Sequence, residues 1–306
     1  VDEAWYAHGY FHPALRPCAL ESGADYVTQS THKMLSAFSQ ASMIHVCDPA
    51  FNESRFREHL NMHTSTSPQY GLIASLDVAR KQMSMEGFSR LDRCIDYARE
   101  LRQGSASTDR FRVLELADML PEALAGDGVR LDPTKLTIDV SRAGCTAREL
   151  QKSLYEKHSI QVEKITHNTL SVLVTLGTTQ SKVLRLLNAL RSEARARPEK
   201  QTRSQPPSVL PAMGDIKIRP RDAFFGDSED LPLSDKDHGV NDKLVGRISA
   251  DQVVPYPPGI PVLVPGQRIS QDVLDYLLDL YHGDSGIELH GLMRHDGCPM
   301  LRVTAI

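Results

Sequence analysis

The period of hydrophobic and polar positions changes several times along the chain, and each change marks an element. "SMIHV", Ser42 to Val46, reads as a buried strand, and "YGLIASLDVARKQM", Tyr70 to Met83, brings apolar residues at helical spacing. A second helix is predicted where Phe88, Leu91, Ile95, Ala98 and Leu101 recur every three or four residues, with Gly104 as a left-handed stop. Residues 105 to 133 are irregular and mixed in charge. Leu136, Ile138 and Val140 then alternate as in a half-buried strand. Thr146 with Glu149 three residues on predicts a capping box, opening a helix through Leu150 and Leu154 to about His158. Ile160 to Ile165 and Leu170 to Leu176 alternate on either side of "THN". A helix carrying Val183, Leu186, Leu187 and Leu190 follows, so the order is βαββα.

Arg191 to Pro211 loses the apolar period and gains charge and proline, which predicts a helix end running into a linker. Beyond it, "IPVLV" (Ile260 to Val264) and "MLRV" (Met300 to Val303) read as strands. Between them a helix starting near Ser270 carries Val273, Leu277 and Leu280. The pattern gives an α/β chain in three parts: residues 1–104, a small βαββα domain at 105–204, and an α+β domain at 205–306. The first residues, "VDEAW", read as the middle of a strand and its exit loop, so the chain is expected to be the later part of a longer polypeptide.

Composition narrows the function classes. With 306 residues and 41% hydrophobic content the chain can bury a sizeable core. A net charge of -4, with both signs interspersed, gives no footprint for nucleic acid or an anionic membrane. No apolar run approaches the roughly 20 residues of a membrane span, and no signal-peptide pattern opens the chain, so a cytoplasmic protein is expected. The five cysteines are scattered, with no C-x-x-C pair, and point to neither a disulfide framework nor a zinc cage.

Chemistry concentrates at "THKMLSAFSQASMIHV", where Lys33 stands between a histidine and an apolar, serine-dotted run. Such a lysine either snorkels into water or is a desolvated amine that attacks carbonyls. Ser30, Thr31 and His32 supply the short hydrogen-bonding groups that a phosphate needs beside a Schiff base, which makes pyridoxal 5'-phosphate the obvious carbonyl. That cofactor also needs a carboxylate at its ring nitrogen, and Asp2, at the end of a presumed strand, is placed to serve.

"VDEAW", "TQSTHKMLSAFSQASMIHV", "MHTSTSPQYG" and "PYPPGIPVLVPG", in this order, resemble the bacterial fold-type-I basic amino acid decarboxylases, the Orn/Lys/Arg decarboxylase family. The resemblance runs from Val1 to about Gln267. It implies the later part of an aspartate aminotransferase-like large domain, followed by the small and C-terminal domains. It further implies that Lys33 forms the Schiff base, Asp2 pairs with the pyridinium nitrogen, and Ala4 and Trp5 lie beside the ring. Ser30 and His32 would contact the phosphate or steady the Schiff base. Ser65, with Thr64 and Thr66, would reach the phosphate of a neighbouring subunit, so that the site is complete only in a homodimer or higher homo-oligomer. Those hydroxyls also suit a turn or cap ahead of Pro68.

The implied reaction is loss of carbon dioxide from a basic amino acid, giving a diamine-type product of polyamine metabolism, with His32 or the freed Lys33 returning a proton. "MHTSTSPQYG" resembles the lysine and arginine enzymes more than the ornithine ones, which leans the expected substrate to lysine. An aminotransferase would share Lys33 and Asp2, and a non-catalytic homologue would share the fold. "PYPPGIP" is expected to brace the site entrance. The acidic "DSEDLPLSDKD", Asp227 to Asp237, suits either a solvated loop or the substrate's distal cation. The pairs His59/His63, His8/His12 and His290/His295 lack further ligands for a metal, and no P-loop or G-x-G-x-x-G is present.

Overall fold

The structure is a computed structural model describing residues 1–166, 168–198, 210–235, 239–256, 259–283, 287–295 and 297–305. It forms two compact units, Val1–Arg203 and Ser204–Ile306.

In the first unit, strand β1 (Tyr26–Gln29) leads into the single helical turn α1 (Thr31–Met34), and β2 (Met43–Val46) returns antiparallel to β1. β2 is half exposed, not buried as predicted, with Ile44 49% exposed. It pairs with β1 on one edge only, and the face that carries Ile44 is not covered by the described residues. Helix α2 (Glu53–His63) starts on Asn52, whose side chain accepts the Arg55 N–H.

Helix α3 (Tyr70–Ala106) replaces the two helices predicted there. No proline interrupts residues 84–87. One buried stripe, from Ser75 through Ala79, Met83, Gly87, Leu91, Cys94, Ala98 and Leu101 to Ser105, runs its whole length. Phe88 lies outside that stripe and is exposed, stacking on His12 at 4.8 Å. Gly104 is within the helix rather than ending it. A Cβ there would stand 2.6 Å from Leu187 Cδ2, so the glycine serves close helix packing.

Strand β3 (Arg112–Val113), in the stretch read as irregular, and the short helix α4 (Leu116–Met119) follow. Then come β4 (Lys135–Asp139), α5 (Ala147–His158), β5 (Lys164–Ile165), β6 (Thr169–Leu173) and α6 (Gln180–Ala196). The predicted βαββα order holds for these last five, and β3 adds an edge to give a sheet ordered β3-β4-β6-β5, antiparallel throughout. Leu136, Ile138, Leu150, Leu154, Leu170, Val183, Leu187 and Leu190 are buried together in its core with Phe111 and Leu101. The strand predicted from Ile160 shrinks to two residues, and His167 of "THN" lies outside the described residues.

The capping box at α5 is present: Glu149 N–H donates to Thr146 Oγ1 at 3.2 Å, and Thr146 N–H to Glu149 Oε2 at 2.8 Å. Thr146→Ala is expected to lower stability by about 1 kcal/mol, as read by denaturant midpoint at unchanged m-value.

The second unit contains α7 (Pro220–Phe225), β7 (Ser228–Pro232), β8 (Val254–Tyr256), α8 (Gln271–His282), β9 (Glu288–His290), β10 (Met293–His295) and β11 (Cys298–Thr304). Helix α8 starts next to Ser270 as predicted, Ser270 Oγ accepts the Val273 N–H, and Val273, Leu277 and Leu280 are buried against Leu301 and Val303 of β11. The predicted strand at Ile260 to Val264 reduces to one bridge, Val253 to Leu263; Leu263 is fully buried and Ile260 exposed. Pro257 and Pro258 of "PYPPG", Lys236 and Asp237 of the acidic stretch, and the linker residues 199–209 lie outside the described residues. No described helix is long and apolar enough to cross a membrane.

Candidate active site

Val1 to Glu3 run alongside β1. Thr28 N–H donates to Val1 O at 3.1 Å and Glu3 N–H to Thr28 O at 2.9 Å, forming a parallel bridge between Asp2 and Thr28. Two residues beyond Thr28 the chain reaches Ser30 and enters α1 with His32 and Lys33. Asp2 and Lys33 thus emerge from adjacent, paired segments.

Asp2 Oδ1 accepts the Ala4 N–H at 2.7 Å, an Asx turn that leads the chain out of the strand and fixes the carboxylate. Half-buried Ala4 and the more exposed Trp5 follow at once. Glu3, pointing to the opposite face, is buried. Its Oε1 accepts Ala19 N–H at 2.6 Å and its Oε2 accepts Gln29 Nε2 at 2.8 Å, while His45 Nε2 donates to Gln29 Oε1 at 3.0 Å.

The His32 main-chain N–H and ring Nδ1 both meet Ala41 O, at 3.1 and 3.0 Å. A carbonyl only accepts, so Nδ1 carries a proton and the ring is held in one orientation. Thr31 is 1% exposed, yet its Oγ1 has no hydrogen-bond partner, and the Ser30 side chain is not spent on capping α1. A buried hydroxyl left unpaired costs free energy unless something else meets it. This donor set suits a phosphate and a carbonyl.

Within this chain Lys33 itself is exposed. The turn α1 directs Met34 inward and, with buried Leu35 and Ala41, forms an apolar floor; Lys33 faces the other way. The desolvation expected of it is therefore not supplied by its own neighbours. Ser65 stands apart, in the exposed stretch between α2 and α3, and makes no hydrogen bond with the Lys33 segment; adjacent Thr64 Oγ1 donates to Leu60 O at 3.1 Å.

On the side of Asp2 and Trp5 a cleft of about 600 Å³ opens, lined also by Tyr6, Arg130, Asp132 and Lys135. Asp132 is its buried anion. His8 Nε2 donates to Oδ2 at 3.1 Å, Lys135 Nζ bonds the same oxygen, and Thr134 gives Oδ1 both its N–H (2.9 Å) and its hydroxyl (2.6 Å). Burial alone would raise the Asp132 pKa, but the His8 hydrogen bond and the His8 and Lys135 charges overcome it and hold the carboxyl well below the usual range. Burial, then the Asp132 and Glu3 charges, push Tyr6 up to about 12, so its hydroxyl stays a donor, to Leu15 O.

Sequence comparison decides the family. The profile of the Orn/Lys/Arg decarboxylase major domain matches residues 1–182, and that of the family's C-terminal domain matches residues 233–303. The chain belongs to the Orn/Lys/Arg decarboxylase family.

Among curated members of this decarboxylase family, an arginine decarboxylase of Bacillus subtilis is 32% identical over 95% of this chain and 57% of its own length. A lysine decarboxylase of Pseudomonas aeruginosa is 31% identical over 97% of this chain and 51% of its own. The crystal structure of a Francisella novicida lysine decarboxylase superposes on 99% of this chain and 53% of its own, with a TM-score of 0.80 at 26% identity. The chain spans about half the length of the relatives it matches. The fold is that of these decarboxylases, mixed α/β of fold type I.

Sequence motifs lent His8 no support as a metal ligand and did not point to Asp132 or Glu3. "DPT" at Asp132 to Thr134 looks like any Asx turn, and its pairing with His8 spans 124 residues, which no local pattern reports.

Proposed function

We propose that the whole protein decarboxylates a basic amino acid, lysine or arginine, using pyridoxal 5'-phosphate. The observation that carries this reading is the Asp2–Thr28 bridge: it sets a fixed carboxylate beside the strand that delivers Ser30, Thr31, His32 and Lys33. The residues present fit the cofactor, because the unpaired, buried Thr31 hydroxyl and the uncommitted Ser30 side chain are suited to phosphate oxygens. When bound, that group withdraws the electrons released as carbon dioxide leaves.

In this reading Lys33 is the amine that joins the cofactor's carbonyl, and Asp2 holds a proton on the ring nitrogen. Ala4 and Trp5 would flank the ring, and the fixed His32 ring, next to Lys33 in sequence, would hold or return a proton. Ser65, with Thr64 and Thr66, reaches the site of a second copy, making the homodimer the active unit. The exposure of residues 64–69 supports that role. The organisation proposed alongside is a large-domain part to residue 104, a small domain to 204 and a C-terminal domain.

The test is full-length protein offered lysine, arginine and ornithine in turn, with carbon dioxide and amine measured, and borohydride used to fix the cofactor before peptide mapping. Amine plus carbon dioxide, and label on Lys33, are expected. A keto acid product would assign an aminotransferase instead, and an unlabelled Lys33 would sink the enzymatic reading.

A further inference from the structure

The turn carrying Asp2 and Trp5 is anchored from far along the chain. Tyr6 N–H donates to Glu3 O at 2.8 Å and Gly9 N–H to Tyr6 O at 3.0 Å, so residues 3–9 form two successive tight turns directly after Asp2. Their side chains meet the segment entering β4. His8, 2% exposed, donates to Asp132; Lys135 bonds Asp132 and lies 5.5 Å over the Tyr6 ring; the Tyr6 and His8 rings pack edge to face at 5.2 Å. Asp132, Lys135, Tyr6, Trp5 and Asp2 all line one cleft. The Asp132 side chain is 8% exposed, so removing one partner leaves the others desolvated without compensation.

The geometry points to Asp132 as a positioning residue for Asp2 and Trp5, acting through His8 and Tyr6. The inference rests on the proposed function, since it supposes that Asp2 and Trp5 face the cofactor ring. The Thr28 pairing and the Ala4 N–H hold the Asp2 end of the turn, and the His8–Asp132 pair holds its far end. The Asp132 cluster thereby ties the turn to β4, whose Leu136 and Ile138 are fully buried. A displacement of Asp2 is felt as a weaker proton on the ring nitrogen, and one of Trp5 as a loosened ring. Asp132 itself touches none of the reacting atoms in this proposal.

The experiment uses full-length protein with pyridoxal phosphate as the probe, and measures its dissociation constant, the absorbance band of the bound form across pH, and Tm. Asp132→Asn and His8→Leu are expected to weaken cofactor binding about tenfold, the equivalent of one charge-assisted hydrogen bond, and to displace the pH dependence of the band. His8→Gln retains a donor toward Asp132 and is expected to restore binding to within about twofold of the parent. Glu193→Gln, which alters a buried carboxylate away from the cleft, should lower Tm while leaving the band and the dissociation constant unchanged. If Asp132→Asn fails to fold, the two His8 variants decide. Parent-like binding and spectra in folded Asp132→Asn or His8→Leu would overturn the positioning role while leaving the function intact. A parent protein that never binds the cofactor through Lys33 would overturn both.

Discussion

Lys33→Ala in the full-length protein is expected to reduce kcat/KM for decarboxylation by more than about a thousandfold, because the covalent link to the cofactor carbonyl has no substitute. Lys33→Arg should fall nearly as far: a guanidinium keeps the charge but is always protonated and is no nucleophile. The side chain is exposed, and the main-chain bonds that close α1, Lys33 N–H to Ser30 O at 3.0 Å and Leu35 N–H to Thr31 O at 2.9 Å, do not involve it. Stability should therefore change by no more than about 0.5 kcal/mol. Loss of activity at constant Tm of the cofactor-free protein is the signature sought, and retained decarboxylation by the alanine variant would remove Lys33 from the mechanism.

Glu193→Ala is expected to produce the opposite result, a large loss of stability arising outside the proposed cofactor site. Glu193 is 2% exposed on α6. Its Oε1 accepts Ser153 Oγ at 2.8 Å and His158 Nε2 at 3.2 Å from α5, and its Oε2 accepts Arg197 Nε at 3.1 Å. Removing the carboxylate strands the buried Ser153 hydroxyl, the His158 ring nitrogen and the Arg197 guanidinium, at a cost of about 3 kcal/mol, the low end for a buried pair because His158 and Arg197 still reach water. Burial works to raise the Glu193 pKa, but the Ser153 and His158 hydrogen bonds and the Arg197 charge lower it overall, as happens more strongly at Asp132.

The sign of the pH effect follows. A folded-state pKa below the unfolded value means that the stabilisation is fully present above the ordinary carboxylate pKa, about 4, and is lost as pH falls through the folded value. Chemical denaturation of parent and Glu193→Ala at neutral pH and again below about pH 4 should show the gap between them closing on acidification. A gap that widens on acidification would contradict the ion cluster.

Local patterns carried the elements whose signal is local. The Thr146/Glu149 box, the start of α8 near Ser270 and the buried faces of α5, α6 and α8 form as the spacing predicts, because each depends on residues three or four apart. The spacing failed where packing outweighs it. Gly104 looked like a helix stop, but the close approach of Leu187 uses the missing Cβ inside a continuous α3. "IPVLV" looked like a strand, yet it pairs at one bridge only, because an apolar run specifies burial and not a partner.

The sequence by itself determined the family, the order of elements from β4 to α6, and the residue types gathered at Asp2, Ser30, Thr31, His32 and Lys33, since these are written in contiguous motifs. The tertiary structure alone decided that Asp2 lies in register with Thr28, that Lys33 faces outward from its apolar floor, and that Asp132 meets His8. Such facts depend on strand register and on chain segments more than a hundred residues apart, where one step of register or one turn of helix moves a side chain to another face.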